Sequence, residues 1–212
     1  MTMYKYPRTP HLPWSPGLTK DDRVLDSADH FNGIHVVVTL KMDGENTTMY
    51  RDHIHARSMD SIDHPSRHWV KGLHHRIHYL IPEGWRICGE NLYAKHSIHY
   101  TDLPSYFLVF SVWNEKNECL SWDETESFCK DIGLELVREL YYGTWIPEMQ
   151  EAMDKRMNLS YFREDEGYVI RSSGKFHYDD FESNVAKYVR ENHVQTDRHW
   201  MHSKIIKNEL EE

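Results

Sequence analysis

Residues 34–46 read IHVVVTLKMDGEN. Ile34 to Leu40 is a short β-branched run without polar alternation, the pattern of a strand buried on both faces. Asp43 and Gly44 end it with a turn pair, so Lys41 stands where a buried strand gives way to a glycine turn. Desolvation or a neighbouring cation at such a strand end eases loss of the lysine proton, which makes Lys41 a candidate nucleophile. The same residues also fit a plain β-turn with a solvated lysine beside it. The tetrapeptide alone does not separate the two.

Outward from this stretch, TTMYR (47–51) and HIHAR (53–57) resume strand character. WRICGE (85–90) and YFLVFSVWN (106–114) read as two further strands, the second apolar enough to be central. Trp69, Leu73, Ile77 and Leu80 fall at helical spacing between Pro65 and Pro82. Ser121 with Glu124 three residues on is a capping-box pattern that opens a helix through about Ile132, closed by Gly133. EMQEAMDKRM, after Pro147, is another short helix. GYVIRS (167–172) and NVAKYVR (184–190) read as late strands, and the tail from about Asp197 as helical. Strands and helices interleave without a regular βαβ period, which predicts an α+β fold of mainly antiparallel sheets flanked by helices. Pro7, Pro10, Pro13 and Pro16 predict an extended arm over about residues 1–20, laid on the surface.

The 212 residues suit one domain, and 39% hydrophobic with 13% aromatic content is too apolar for a disordered chain. A net charge of −9 argues against a nucleic-acid binder held by bulk charge, but not against a local basic groove or a bound metal. Cys88, Cys119 and Cys129 form no CxxC pair, and their odd number speaks against a secreted disulfide framework. No stretch approaches the roughly 18 apolar residues of a membrane span. A cytoplasmic protein without a membrane partner is expected. The 16 histidines include HIH at 53–55, the group His74, His75 and His78, and the pair His96 and His99. Their spacings are ones zinc can use, although no cysteine lies nearby in a matching pattern.

Lys41 in KMDG, Arg57 in HARS, Glu90 in GEN, Phe110 in FLVFSV, Glu166 in EGYVIR and Lys187 in AKYVR follow one another along the chain. Each lies within a predicted strand or at its edge. The series, over roughly Ile34 to Arg190, resembles the covalent nucleotidyltransferase superfamily of RNA ligases, DNA ligases and mRNA-capping enzymes. Asn46, five residues after the lysine, is placed as in the bacteriophage T4-type double-strand RNA ligases. GENLYAKHSI (89–98) and AKYVRENHVQT (186–196) look more like RNA ligases, the Deinococcus type especially, than DNA ligases.

The resemblance implies an adenylyltransferase domain spanning 1–212, without the OB domain or C-terminal domain of its larger relatives. It implies an ATP-dependent RNA ligase that joins a 3′-hydroxyl to a 5′-phosphate, at nicks in duplex RNA or RNA–DNA hybrids, in the cytoplasm of a bacterial or phage-infected cell. Lys41 would carry covalent AMP. Leu40, Arg57, Glu90 and Phe110 would bind the nucleotide, Glu90 through the ribose hydroxyls and Phe110 by stacking on adenine. Glu166 would serve Mg²⁺ or Mn²⁺, and Lys187 would hold the α-phosphate. Asn46 and Arg190 would serve the nucleic-acid substrate. The T4-type enzymes carry two lysines one residue apart at the last motif, whereas here Lys187 is followed by Tyr188, Val189 and Arg190.

Lys5, Arg8, Arg67, Lys71, Arg76, Lys204 and Lys207 are available phosphate contacts for RNA, and an accessory RNA-binding protein is a further partner. The alternatives are a DNA ligase, a GTP-dependent capping-type enzyme, or a nucleotide- or RNA-binding module that does not ligate.

Overall fold

The computed structural model describes residues 2–59, 63–157, 165–191 and 205–211. They group into two compact units. One takes in the described parts of Met1–Pro7, Asp43–Leu136 and Thr196–Glu212, the other those of Arg8–Met42 and Val137–Gln195. The chain crosses from one to the other between Met42 and Asp43, inside the KMDG stretch.

In the first unit, β2 (Glu45–Tyr50), β3 (Ile54–Ala56), β4 (Arg86–Asn91), β5 (Phe107–Trp113) and β6 (Glu118–Cys119) pair antiparallel in the order β6-β5-β4-β2-β3. β7 (Glu135–Leu136) adds a short parallel pairing to β5. Met49, Ile87, Phe107, Val109 and Val112 turn to one face of this sheet. There they pack with Val70, Leu73 and Ile77 of α1 (His68–Ile77) and Cys129 of α2 (Trp122–Ile132).

The stripe of α1 departs from the sequence expectation at its end. Leu80 is exposed, because the chain tightens to a 3₁₀ turn over His78–Leu80 and the 3.6-residue phase is lost. α2 opens on the expected capping box, the Ser121 hydroxyl accepting from the Glu124 N–H and Glu124 Oε2 accepting from the Ser121 N–H. It ends at Gly133 with φ 69°. Ser121→Ala should therefore lower stability by about 1 kcal/mol, a fall of about 2 to 4 °C in Tm. Ser121→Asn should retain most of the stability, and thermal melts of the two check this.

In the second unit the order is β11-β9-β1-β8, all antiparallel, from β1 (His35–Lys41), β8 (Glu139–Thr144), β9 (Gly167–Ser172) and β11 (Val185–Val189), the two-residue β10 (Phe176–His177) lying between the last two along the chain. Val36, Val37 and Val38 are fully buried, as a two-faced strand requires. β8 has no counterpart in the sequence reading. It is an edge strand in which only Leu140 is buried and three of the six residues are exposed, so ELYYGT carries no buried apolar run. α3 (Glu148–Met157) buries Met153 and Met157.

The N-terminal arm differs from expectation over residues 10–17. The Lys187 N–H donates to the Pro10 carbonyl, the Leu12 N–H to the Lys187 carbonyl and the Gly17 N–H to the Val189 carbonyl. This segment thereby runs along β11 and buries Leu12 completely. The helix expected from Asp197 begins outside the described residues. No helix among the described residues is long and apolar enough to cross a membrane.

Candidate active site

In the second unit, Lys41 is the last residue of β1 and pairs with Gly167 of β9, which in turn faces Val189 of β11. Glu166 immediately precedes β9. Its side chain is 8% exposed, and its carboxylate lies 2.5 Å from Lys41 Nζ. Lys41 is thus no solvated turn lysine. Its side chain keeps 23% of its surface open and is held in an ion pair.

Lys187 of β11 faces Val169, which faces Thr39. Alternation along the strands therefore puts Lys187 on the same sheet face as Lys41. Burial, and after it the charge of Lys41, lower the Lys187 pKa, while Asp22 opposes the fall. Lys187 Nζ is 3.6 Å from Asp22 Oδ1. Leu40 is buried, on the opposite face from Lys41. Arg190 lies beside Glu166, its N–H donating to the Glu166 carbonyl and its Nε to the Asp165 carbonyl.

His11 completes this group. Its imidazole is almost wholly buried, with Nε2 3.3 Å from Asp22 Oδ1 and Nδ1 2.8 Å from Ser15 Oγ. Burial chiefly, then Lys187, push its pKa down to about 4. The ring is neutral at pH 7. In the unfolded chain its value is near 6.5, so between pH 6.5 and 4 the unfolded state binds the extra proton and stability falls as pH falls. The shift corresponds to on the order of 3 kcal/mol below pH 4. Urea unfolding across that window should show His11→Gln with a flatter pH dependence, by about one proton.

In the first unit, Asn46 of β2 and Glu90 of β4 stand directly opposite each other. The Arg57 N–H donates to the Asn46 carbonyl. All three fall on the sheet face away from the helices, since Thr47, Met49 and Ile87 take the other parity. Asn46 Oδ1 is buried with no hydrogen-bond partner among the described residues.

Phe110 reaches this face through a bulge. Cys88 pairs with Ser111 and Gly89 with Val109, leaving Phe110 as the extra residue. It is half-buried while its neighbours in β5 are buried, and it lies outside the apolar cluster. Tyr6 packs against it, ring centroids 4.9 Å apart and nearly perpendicular. Glycine supports the close packing of strands here. A Cβ on Gly44 would meet the Asn91 carbonyl oxygen at 2.6 Å, and one on Gly89 the Leu108 oxygen at 2.6 Å. Asp43 is structural, its Oδ2 accepting from the Ser97 and Ile98 N–H groups at 2.7 and 2.8 Å.

An RNA ligase family model matches residues 34–189. This chain belongs to the RNA ligase family. No curated protein matches it. An archaeal ATP-dependent RNA ligase has a similar structure, with TM-score 0.58 and 17% identity over 89% of this chain and 48% of the other. A Naegleria gruberi RNA ligase variant with ATP and Mn is similar at TM-score 0.52 and 17% identity, over 77% of this chain and 52% of the other. Such identities show a shared fold, and this RNA ligase family chain spans about half the length of the solved structures it matches.

Several expected contacts take other roles in this family member. Arg67 is not an available phosphate contact, being 8% exposed and engaged by Glu45, with Nε donating to Oε2 at 2.7 Å. Lys71 pairs with Asp63, and Lys207 lies over the rings of Tyr93 and Tyr106. Lys204 is outside the described residues. His53 and His55 stack with Tyr50, and among the described residues no three His, Cys, Asp or Glu groups are placed to hold a metal ion.

His11, Asp22 and Tyr6 were not singled out by sequence. Asp22 and Lys187 are 165 positions apart, and no local pattern marks a contact at that separation.

Proposed function

We propose that this chain is the adenylyltransferase core of an ATP-dependent RNA ligase that joins 3′-hydroxyl to 5′-phosphate ends, at nicks in duplex RNA or RNA–DNA hybrids. The observation that carries the reading is the Lys41–Glu166 ion pair at the end of a central strand, with Lys187 on the same sheet face. Lys41 Nζ attacks the α-phosphorus of ATP, the N–P bond forms, the bond to the β-phosphate oxygen breaks and pyrophosphate leaves. Attack requires the free amine. Lys187, as a second cation on that face, disfavours charge on Lys41 and neutralises the phosphate oxygens as they gain charge.

Glu166 fits a divalent cation as a nearly buried carboxylate. One carboxylate suffices for Mg²⁺ or Mn²⁺, because such ions keep waters and the nucleotide's own phosphates as their other ligands. The cation, when bound, would neutralise phosphate charge. Glu90 accepts from the ribose hydroxyls, Arg57 contacts sugar or phosphate, and Phe110 stacks on the base. The bulge that exposes Phe110 supports its assignment over a plain core role. Asn46 Oδ1, a buried acceptor without a donor, supports a place for Asn46 in substrate contact, and Arg190 joins it in the nucleic-acid steps. AMP then passes to a 5′-phosphate and the 3′-hydroxyl displaces it, both in-line transfers.

Intact mass after incubation with ATP or GTP separately, followed by a nick panel with RNA or DNA on each side, tests the proposal. Addition of AMP and sealing with RNA at the 3′-hydroxyl side are expected. Addition of GMP alone would point to a capping-type enzyme, sealing of DNA alone to a DNA ligase, and no joining of a pre-adenylylated nick to a binding module.

A further inference from the structure

The Asp22 carboxylate lies against Lys187, and it comes from the N-terminal segment rather than from any strand of the ligase pattern. Its two oxygens have separate tasks. Oδ2 accepts from the Thr19 N–H at 2.9 Å and from the Thr19 hydroxyl at 2.8 Å. Those two bonds fix the plane of the carboxylate and leave Oδ1 turned to Lys187 at 3.6 Å and to His11 Nε2 at 3.3 Å.

His11 Nε2 approaches that oxygen as a close polar contact rather than an aligned hydrogen bond, and on its other side Nδ1 is hydrogen-bonded to the Ser15 hydroxyl. Ser15 Oγ in turn accepts from the Val189 N–H at 2.9 Å. The contacts therefore form a closed circuit: from Lys187 through Asp22, His11 and Ser15, back to β11 two residues further on. The His11 side chain is 1% exposed, and the side chains of Asp22 and Lys187 are 19% and 18% exposed. A circuit this dry has little freedom to reorient.

We propose that Asp22 is a positioning residue for Lys187: held by Thr19 and shared with His11, its carboxylate sets the direction of the Lys187 ammonium during nucleotidyl transfer. The inference rests on Lys187 acting at the α-phosphate. A long lysine side chain has several rotamers and no intrinsic direction, so a contact group of this kind must be aimed by its surroundings. Asp22 aims it without touching the nucleotide.

The test is a double-mutant cycle on covalent AMP formation in single turnover, with Asp22→Asn, Lys187→Ala and the pair. Asn can keep the Thr19 bonds and the side-chain volume, so melting temperatures of Asp22→Asn and wild type should agree within a few degrees. Asp22→Asn should slow adenylylation at saturating ATP by about 10- to 100-fold, the scale of misplacing a contact group by about 1 Å. Half-saturation by ATP should change much less. In the Lys187→Ala background the same change should cost less than about 2-fold, because there is no ammonium left to aim. Losses that multiply in the pair, or an unchanged rate in Asp22→Asn, would overturn the inference alone. No covalent AMP on the wild-type chain, or a Lys187→Ala rate equal to wild type, would overturn the reading of the site and the inference with it.

Discussion

Lys41→Arg is expected to acquire no covalent nucleotide while melting within a few degrees of the unsubstituted chain. Arginine keeps the positive charge opposite Glu166, but its guanidinium does not lose its proton in proteins and has no free amine to offer phosphorus. Lys41→Ala should lose adenylylation as completely and lose stability as well. It strands the carboxylate of a side chain that is 8% exposed without its partner. Stranding a fully buried charge costs about 3 to 5 kcal/mol. Because Lys41 keeps 23% of its side-chain surface open, water screens part of the loss, and about 1 to 3 kcal/mol is expected here. Intact mass after incubation with ATP and a divalent cation, beside thermal melts of both variants, separates the two effects. Covalent AMP on Lys41→Arg would mean that the nucleophile is another residue.

Gly167→Ala should be among the most damaging single-methyl additions in the chain. Gly167 lies in β9 between Lys41 of β1 and Val189 of β11. A Cβ there would sit 1.9 Å from the Tyr188 carbonyl oxygen and 2.9 Å from its carbonyl carbon. Both are backbone atoms of a paired strand, so no side chain can swing away. The strands must part. Overpacking costs about 1 to 3 kcal/mol where neighbours can give way. With backbone on the receiving side we expect about 3 kcal/mol, or a fall of about 6 to 12 °C in Tm.

Function should suffer beyond stability in Gly167→Ala, since Glu166 precedes the glycine and Lys187 lies on the strand pushed away. Adenylylation should remain depressed at temperatures where the variant is folded. Gly174→Ala is the matched control, because a Cβ there meets nothing within 4 Å, and it should be close to neutral. Equal melting temperatures for the two alanine variants would show that β9 and β11 are less closely apposed at Gly167 than described.

Both predictions concern positions that the chain announces locally, and the reason is common to them. A β-branched run ended by Asp-Gly marks where β1 stops, and the run GYVIRS coincides with β9 from Gly167 to Ser172. The capping box of α2 and its closing glycine are likewise contained within a dozen neighbouring residues. Short-range chemistry of this kind is written in order along the chain.

Phe110 shows the limit. Alternation from Val109 turns it away from the helices while alternation from Val112 turns it towards them, and the bulge opposite Cys88 and Gly89 decides between the two. Leu80 is the same lesson in a helix, its phase lost in a 3₁₀ turn. β8 was invisible because an edge strand needs no apolar face to be paired.

By itself, then, the sequence determined the α+β class, the main strands, the capped helix and the ordered set Lys41, Arg57, Glu90, Phe110, Glu166 and Lys187. Tertiary structure alone decided that Lys41 is paired with Glu166, that Arg67 is spent on Glu45, and that Asp22 and His11 stand behind Lys187. Propensity, capping and turn chemistry act over a few residues and can be read in order. Partners such as Asp22 and Lys187 stand 165 positions apart, and only folding selects them.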